Sequence, residues 1–66
     1  MYGNSKADFI SKLHISLKEC GETIYWITLL SKTDLVLESE SNLLLNSAEE
    51  LKRILIASIN TAKNSS

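Results

Sequence analysis

An unbroken apolar pattern in the first half of the chain constrains the fold more than any other feature. Within residues 5–30, which contain no proline, apolar side chains recur at spacings of three, four, three, four and three: Ile10, Leu13, Leu17, Cys20, Ile24 and Ile27. We call these six residues the first ladder. This period places them on one face of an α-helix and is typical of a helix that lies along another helix.

A second and less regular apolar pattern, the second ladder, runs through residues 38–63. It consists of Leu44, Ala48, Leu51, Leu55 and Ala62. Between the two patterns, residues 31–34 are turn-forming and capping residues, and the apolar residues 35–37 are expected to fold over the end of the bundle. The sequence therefore predicts an all-α fold, a single domain over residues 1–66 that forms an antiparallel two-helix hairpin from about residues 6–30 and 38–63.

Several polar residues mark the ends of these helices. Ser5 and Asp8 are spaced as in a capping box, so the first helix should begin at about Lys6. The second should begin near residue 37 or 38, because Glu38 and Glu40 favour the N-terminal end of a helix dipole and Lys63 favours the other end.

Gly21 lies inside the first helix, where glycine costs about 1 kcal/mol relative to alanine. Two interpretations are open. Either the glycine is tolerated on an outer face, or it permits close approach by a neighbouring helix.

The short chain predicts self-association. It has 66 residues, and a hairpin has only one internal seam. Chains below about 70 residues usually need disulfides, a metal or oligomerisation for stability. Cys20 is the only cysteine, so an intrachain disulfide is impossible, and its place in the first ladder predicts a buried thiol. We therefore expect a homo-oligomer, either a dimer of hairpins that forms a four-helix bundle or a larger ring. The eleven residues of the two ladders are expected to form its self-association core.

Apolar residues outside the ladders suggest a second interface. With Ile10 at heptad position a, four of them fall at the outer positions c, f and g: Ile15, Trp26, Leu29 and Leu30. Residues 24–30 are thus apolar nearly all round, which is typical of a helix end buried on all sides. On the second helix, the residues off the main stripe are Leu43, Leu45, Ile54, Ile56 and Ile59. Scattered surface hydrophobic residues are the alternative interpretation.

No combination of residues predicts an active site, a metal site or a cofactor site. His14 is the only histidine and has no carboxylate within one helical turn on its own face, so it lacks the partner that a general base needs. A bundle di-iron site uses Glu-x-x-His, and here Ser11 takes the glutamate position. We expect a protein that is not an enzyme and that uses no cofactor, metal or small-molecule substrate.

The charge balance gives little support to nucleic-acid binding. Seven basic and eight acidic residues leave a net charge of −1. Lys6, Lys12 and Lys18 are six residues apart and so wind around the helix instead of lining one face. RNA binding is kept as an alternative function, with salt-sensitive affinity as its signature.

No segment predicts export or membrane insertion. The N-terminus lacks a basic stretch followed by an apolar one. The most apolar run, residues 24–30, is far shorter than the ~20 residues that span a bilayer. The expectation from these observations is a cytoplasmic protein.

Several short segments resemble the bacterial 23S rRNA intervening-sequence proteins, also called four-helix bundle proteins. The segments are residues 5–9, 17–19, 22–23, 25–26, 29–30 and 49–51. Gly21, Leu37 and Ser41 depart from the family pattern. Members are roughly twice as long, with two further helices that end in a glycine-containing turn like residues 2–5. The resemblance therefore implies that this chain corresponds to the C-terminal hairpin of a four-helix bundle.

The same resemblance carries expectations about function. Members of the family form four-helix bundles that assemble into ring-like homopentamers and have no established enzymatic activity. Some are encoded in insertions within 23S rRNA genes, and related accessory proteins of diversity-generating retroelements bind nucleic acid through a basic surface. A structural, self-assembling protein is thus the first hypothesis and an RNA-binding accessory module the second.

Overall fold

The computed structural model describes residues 5–64, which form two α-helices and contain no strand. The first helix, α1, spans Lys6–Ser31, and the second, α2, spans Glu38–Asn64. Both lie within one residue of the predicted bounds, so the all-α prediction is confirmed. The glycine-containing turn expected at residues 2–5 and the outer limits of the predicted domain fall largely outside the described residues.

Side-chain caps fix both ends of α1. The Ser5 hydroxyl accepts a hydrogen bond from the Asp8 backbone N–H at 3.2 Å, so the predicted N-cap is confirmed. At the other end, the Thr33 N–H and hydroxyl both donate to the Leu30 carbonyl, at 3.0 and 2.7 Å. Carbonyl groups that the helix itself leaves unpaired are thereby satisfied.

The start of α2 is held by its own first turn. The Leu37 carbonyl accepts the Ser41 N–H at 3.0 Å, and the Leu37 N–H donates to the Glu40 carboxylate at 3.4 Å. Glu38 and Glu40 lie in the first turn and Lys63 in the last, as expected for residues that favour these ends of the helix dipole.

The two helices pack side by side and antiparallel. Near their midpoints, the Cys20 thiol donates to the Ala48 carbonyl at 3.2 Å. Phe9, near the start of α1, lines the same cavity as Thr61, near the end of α2. The radius of gyration is 15.2 Å, against about 11 Å for a compact domain of this length. The hairpin is therefore confirmed, and it is a thin rod instead of a globule.

The first ladder forms the α1 side of the seam between the helices. All six of its residues are buried or half-buried, and Cys20 is the most buried of them. This face of α1 therefore packs against α2 within the chain, and its role in pairing with a second copy stays a prediction.

The α2 side of the seam differs from the second ladder. Glu49 and Ser58 are half-buried beside the seam. The other buried or half-buried side chains of α2 recur at spacings of four, three, four, three, four and three: Ser41, Leu45, Ala48, Lys52, Leu55, Ile59 and Ala62. Leu45 and Ile59 were predicted to lie off the main stripe, and that prediction is wrong because both belong to the seam. Leu44 and Leu51 instead lie beside it, 52% and 49% exposed.

Two polar residues explain this difference. Ser41 and Lys52 occupy positions in the α2 seam, so the apolar residues alone do not show which positions of α2 face α1. The Ser41 hydroxyl is satisfied locally, since it donates to the Glu38 carbonyl at 3.0 Å. Lys52 is only half-buried, which lets its ammonium group reach solvent and the Glu49 carboxylate at 3.9 Å.

The apolar connection does not cover the end of the hairpin as predicted. Leu35 is 82% exposed and Leu37 is 67% exposed, and only Val36 is half-buried. The Leu35 N–H donates to the Thr33 hydroxyl at 3.1 Å, which holds this segment in a turn. Two helices also present too narrow an end to bury both leucines.

Candidate association surface

The hairpin leaves an unusually large apolar surface uncovered. Its accessible area is 4946 Å², against about 4,200 Å² for an average monomer of this mass. The exposed large apolar residues are Phe9, Ile15, Tyr25, Trp26, Leu29, Leu30, Leu35, Leu37, Leu43, Leu44, Leu51, Ile54 and Ile56. Contiguous apolar patches on a small protein usually mark interaction sites.

Three open cavities lie along one flank of the hairpin. The largest, of 720 Å³, is at the end that carries the chain termini and is lined by Lys6, Phe9, Ile54, Ala57, Ser58, Thr61 and Ala62. The middle cavity lies between α1 and the leucines of α2 and is lined by Ile15, Ser16, Glu19, Cys20, Thr23, Leu51 and Leu55. The third, near the connection, is lined by Val36, Glu40, Leu43 and Leu44.

Helical periodicity explains why these cavities share a flank. Leu44, Leu51 and Ile54 are separated by seven and three residues, so they form a second stripe along α2 beside the seam stripe. Phe9 directly precedes the first seam residue of α1 and lies on the same flank, since it lines a cavity with Ile54. We call this flank the groove face and define it by Phe9, Leu43, Leu44, Leu51 and Ile54.

Sequence reasoning found only part of the groove face. Leu44 and Leu51 were predicted as association residues, and Leu43 and Ile54 were noted as off the stripe, but Phe9 was not singled out. If Ser41 and Lys52 are assigned to core positions of the heptad repeat, the seam stripe of α2 separates from the stripe that contains Leu44, Leu51 and Ile54.

The four residues predicted as a second interface are all exposed. They lie on α1, and Ile15 also lines the middle cavity beside Leu51. The Trp26 ring meets the Tyr25 ring edge-on, with centroids 5.4 Å apart. Leu29 and Leu30 follow on the last turns of α1. Their use as an interface stays a prediction.

The polar side chains form no concentrated site. His14 is exposed on α1, and among residues 5–64 no three His, Cys, Asp or Glu side chains are grouped to hold a metal ion. Two basic residues are engaged in ion pairs along their own helices, Lys12 with Asp8 at 3.2 Å and Lys52 with Glu49 at 3.9 Å. Within the same residues, neither helix combines the length and apolar character needed to cross a membrane.

Comparison with known proteins gives one match. The sequence model of the 23S rRNA-intervening sequence protein family matches residues 1–57, most of the chain. No curated protein and no solved structure matches the chain significantly. The family match covers α1, the connection and about the first three-quarters of α2, and we conclude that the chain belongs to the 23S rRNA-intervening sequence protein family.

Proposed function

We propose that this chain is a non-enzymatic structural protein that acts by self-assembly, each copy contributing a hairpin to a four-helix bundle. The bundle is a dimer of hairpins or the repeating unit of a larger ring. The observation that carries this proposal is the groove face, because an apolar flank that runs the length of a rod needs a partner of similar length.

The dimensions and energetics of the hairpin support this proposal. Its outline of 48 × 17 Å gives a projected face of roughly 800 Å², which equals the ~800 Å² per partner that stable interfaces bury. Full burial of a large apolar side chain is worth about 1.5–3 kcal/mol. Phe9, Leu44, Leu51 and Ile54 are each about half exposed, so covering them contributes about 1 kcal/mol apiece.

The mass of the full chain in solution tests the proposal. Sedimentation equilibrium at micromolar concentration should give two or more times 7.4 kDa, and helicity should fall on dilution as the assembly dissociates. A well-folded monomer of 7.4 kDa, with helicity independent of concentration, would contradict it.

RNA binding is the alternative function and has less support. The net charge is −1, and the ion pairs of Lys12 and Lys52 reduce the basic surface further. A structured rRNA fragment titrated with the protein provides the test. Affinity that falls steeply with salt would establish this function, and no binding at low salt would remove it.

A further inference from the structure

We infer that the groove face is covered by a second copy of this chain, docked antiparallel about a two-fold axis that passes close to Leu51. This inference rests on the proposed self-assembly and adds the identity of the partner, the face that it covers and its direction.

The groove face is complementary to itself in shape. Near the connection, Leu43 and Leu44 project from α2 and are 69% and 52% exposed. At the opposite end, four small side chains of α2 line the 720 Å³ cavity, and Lys6, Phe9 and Ile54 form the rest of its wall: Ala57, Ser58, Thr61 and Ala62. One end therefore presents two adjacent leucines, and the other end presents a recess in which four of the seven lining residues are small.

A two-fold axis at Leu51 brings these ends together twice. Leu44 and Ser58 each lie seven residues from Leu51, about 10.5 Å along the helix. An antiparallel copy centred on Leu51 therefore places each Leu44 against the partner's recess, and the two contacts are identical, as a two-fold interface requires. A parallel copy would place leucines against leucines and recess against recess.

Two charged residues beside the groove face also favour the antiparallel arrangement. Lys6 lines the recess, and Glu40 lines the cavity beside Leu43 and Leu44. The antiparallel arrangement places each Lys6 near Glu40 of the other copy. A parallel arrangement would place lysine near lysine and glutamate near glutamate, which costs free energy.

Disulfide trapping tests the arrangement in the full chain carrying Cys20→Ala, so that no native thiol competes. Leu51→Cys should form a dimer on mild oxidation, because one residue meets its own copy only close to the two-fold axis. Leu44→Cys and Ser58→Cys should each stay monomeric on a denaturing gel and should form a dimer when mixed. Asn46→Cys is the matched control, exposed on α2 but 140° around the helix from Leu51, and should crosslink at least tenfold more slowly.

A charge-reversal series keeps the native cysteine and so does not depend on Cys20→Ala folding correctly. Lys6→Glu and Glu40→Lys should each weaken association about two- to thirtyfold, because each dimer contains two of these exposed ion pairs. The double variant should bind more tightly than either single variant, since it rebuilds both pairs with reversed sign. Helicity measured for each variant reports the loss of the Leu37 N–H bond that Glu40→Lys causes within the chain. If the double variant loses as much binding free energy as the two single variants together, the antiparallel arrangement is contradicted.

The possible outcomes separate this inference from the proposed function. Crosslinking of Leu44→Cys to itself would overturn the antiparallel direction. If the native chain sediments as an oligomer but the Leu51→Cys variant gives no crosslink and the charge-reversed double variant gives no rescue, the inference is overturned and self-assembly still stands. A folded monomer would overturn both.

Discussion

The two helices of the hairpin use their apolar residues differently. In α1, the whole first ladder faces the seam, so the most regular apolar pattern of the chain contacts α2 within the hairpin. In α2, the seam includes Ser41 and Lys52, while Leu44, Leu51 and Ile54 form a second stripe that stays exposed. The comparison shows that the regular pattern of α1 serves one partner helix, with its exposed apolar residues lying off that pattern. In α2, by contrast, the exposed residues Leu44, Leu51 and Ile54 form a second regular stripe.

A helix with two adjacent stripes is the kind that fills the interior of a bundle. One stripe packs against the other helix of the same chain. The second stripe needs a helix from outside the hairpin, as each helix of a four-helix bundle contacts two adjacent helices. The seam and the groove face should therefore respond differently to the same substitution, and this difference can be tested.

The largest expected effect is that of Leu17→Asp in the seam. The change places an unpaired carboxylate among half-buried apolar residues, at an expected cost of about 3 kcal/mol or more. Circular dichroism should show loss of helicity, and sedimentation should show loss of the oligomer. Ser11→Asp, which adds the same charge at an exposed position of α1, should change neither. If Leu17→Asp keeps both helicity and mass, the first ladder does not hold the fold together.

The next effect in size is that of Leu51→Asp on the groove face. Leu51 lies beside the seam and is 49% exposed, so the seam residues keep their contacts with each other, but the charge must be desolvated each time a partner docks. The dissociation constant should rise about 100-fold, which corresponds to about 2.7 kcal/mol. Concentration-dependent sedimentation measures it, with Asn46→Asp, an exposed site on another face of α2, as control. Equal dissociation constants for the two variants would show that the groove face is not the interface.

The same contrast between the helices decides how much could be predicted from sequence. The regular spacing of the first ladder, together with Ser5 at the N-cap, is enough to give the α1 bounds and the side that faces α2. On α2 the seam contains a serine and a lysine, and apolar residues alone do not locate it. Leu45 and Ile59 were misplaced for this reason, because a pattern of apolar residues alone omits Ser41 and Lys52 and does not separate the two stripes.

A smaller effect is expected at Trp26, one of the residues predicted to form a second interface. If hairpin dimers join into a larger ring through this end of α1, Trp26→Gln should lower the assembly to two chains without lowering helicity. The ring contacts Tyr25 edge-on and is otherwise exposed, so the hairpin itself loses little. Light scattering coupled to gel filtration measures the mass. An assembly that is already a dimer in the native chain, or one that Trp26→Gln leaves unchanged in size, would remove the second interface.

The smallest expected effect, a gain in stability, is that of Gly21→Ala, and its sign distinguishes the two interpretations of this residue. A Cβ added at Gly21 meets nothing within 4 Å, so nothing in the described hairpin requires glycine there. The substitution should raise the free energy of unfolding by about 0.5–1 kcal/mol through helix propensity alone, measured by urea denaturation at fixed protein concentration. A loss of stability or of mass would mean that a helix from another copy approaches Gly21 closely. In that case α1 would also have a second neighbour, and the difference between the two helices would lie in how they pack, with small residues on α1 and leucines on α2.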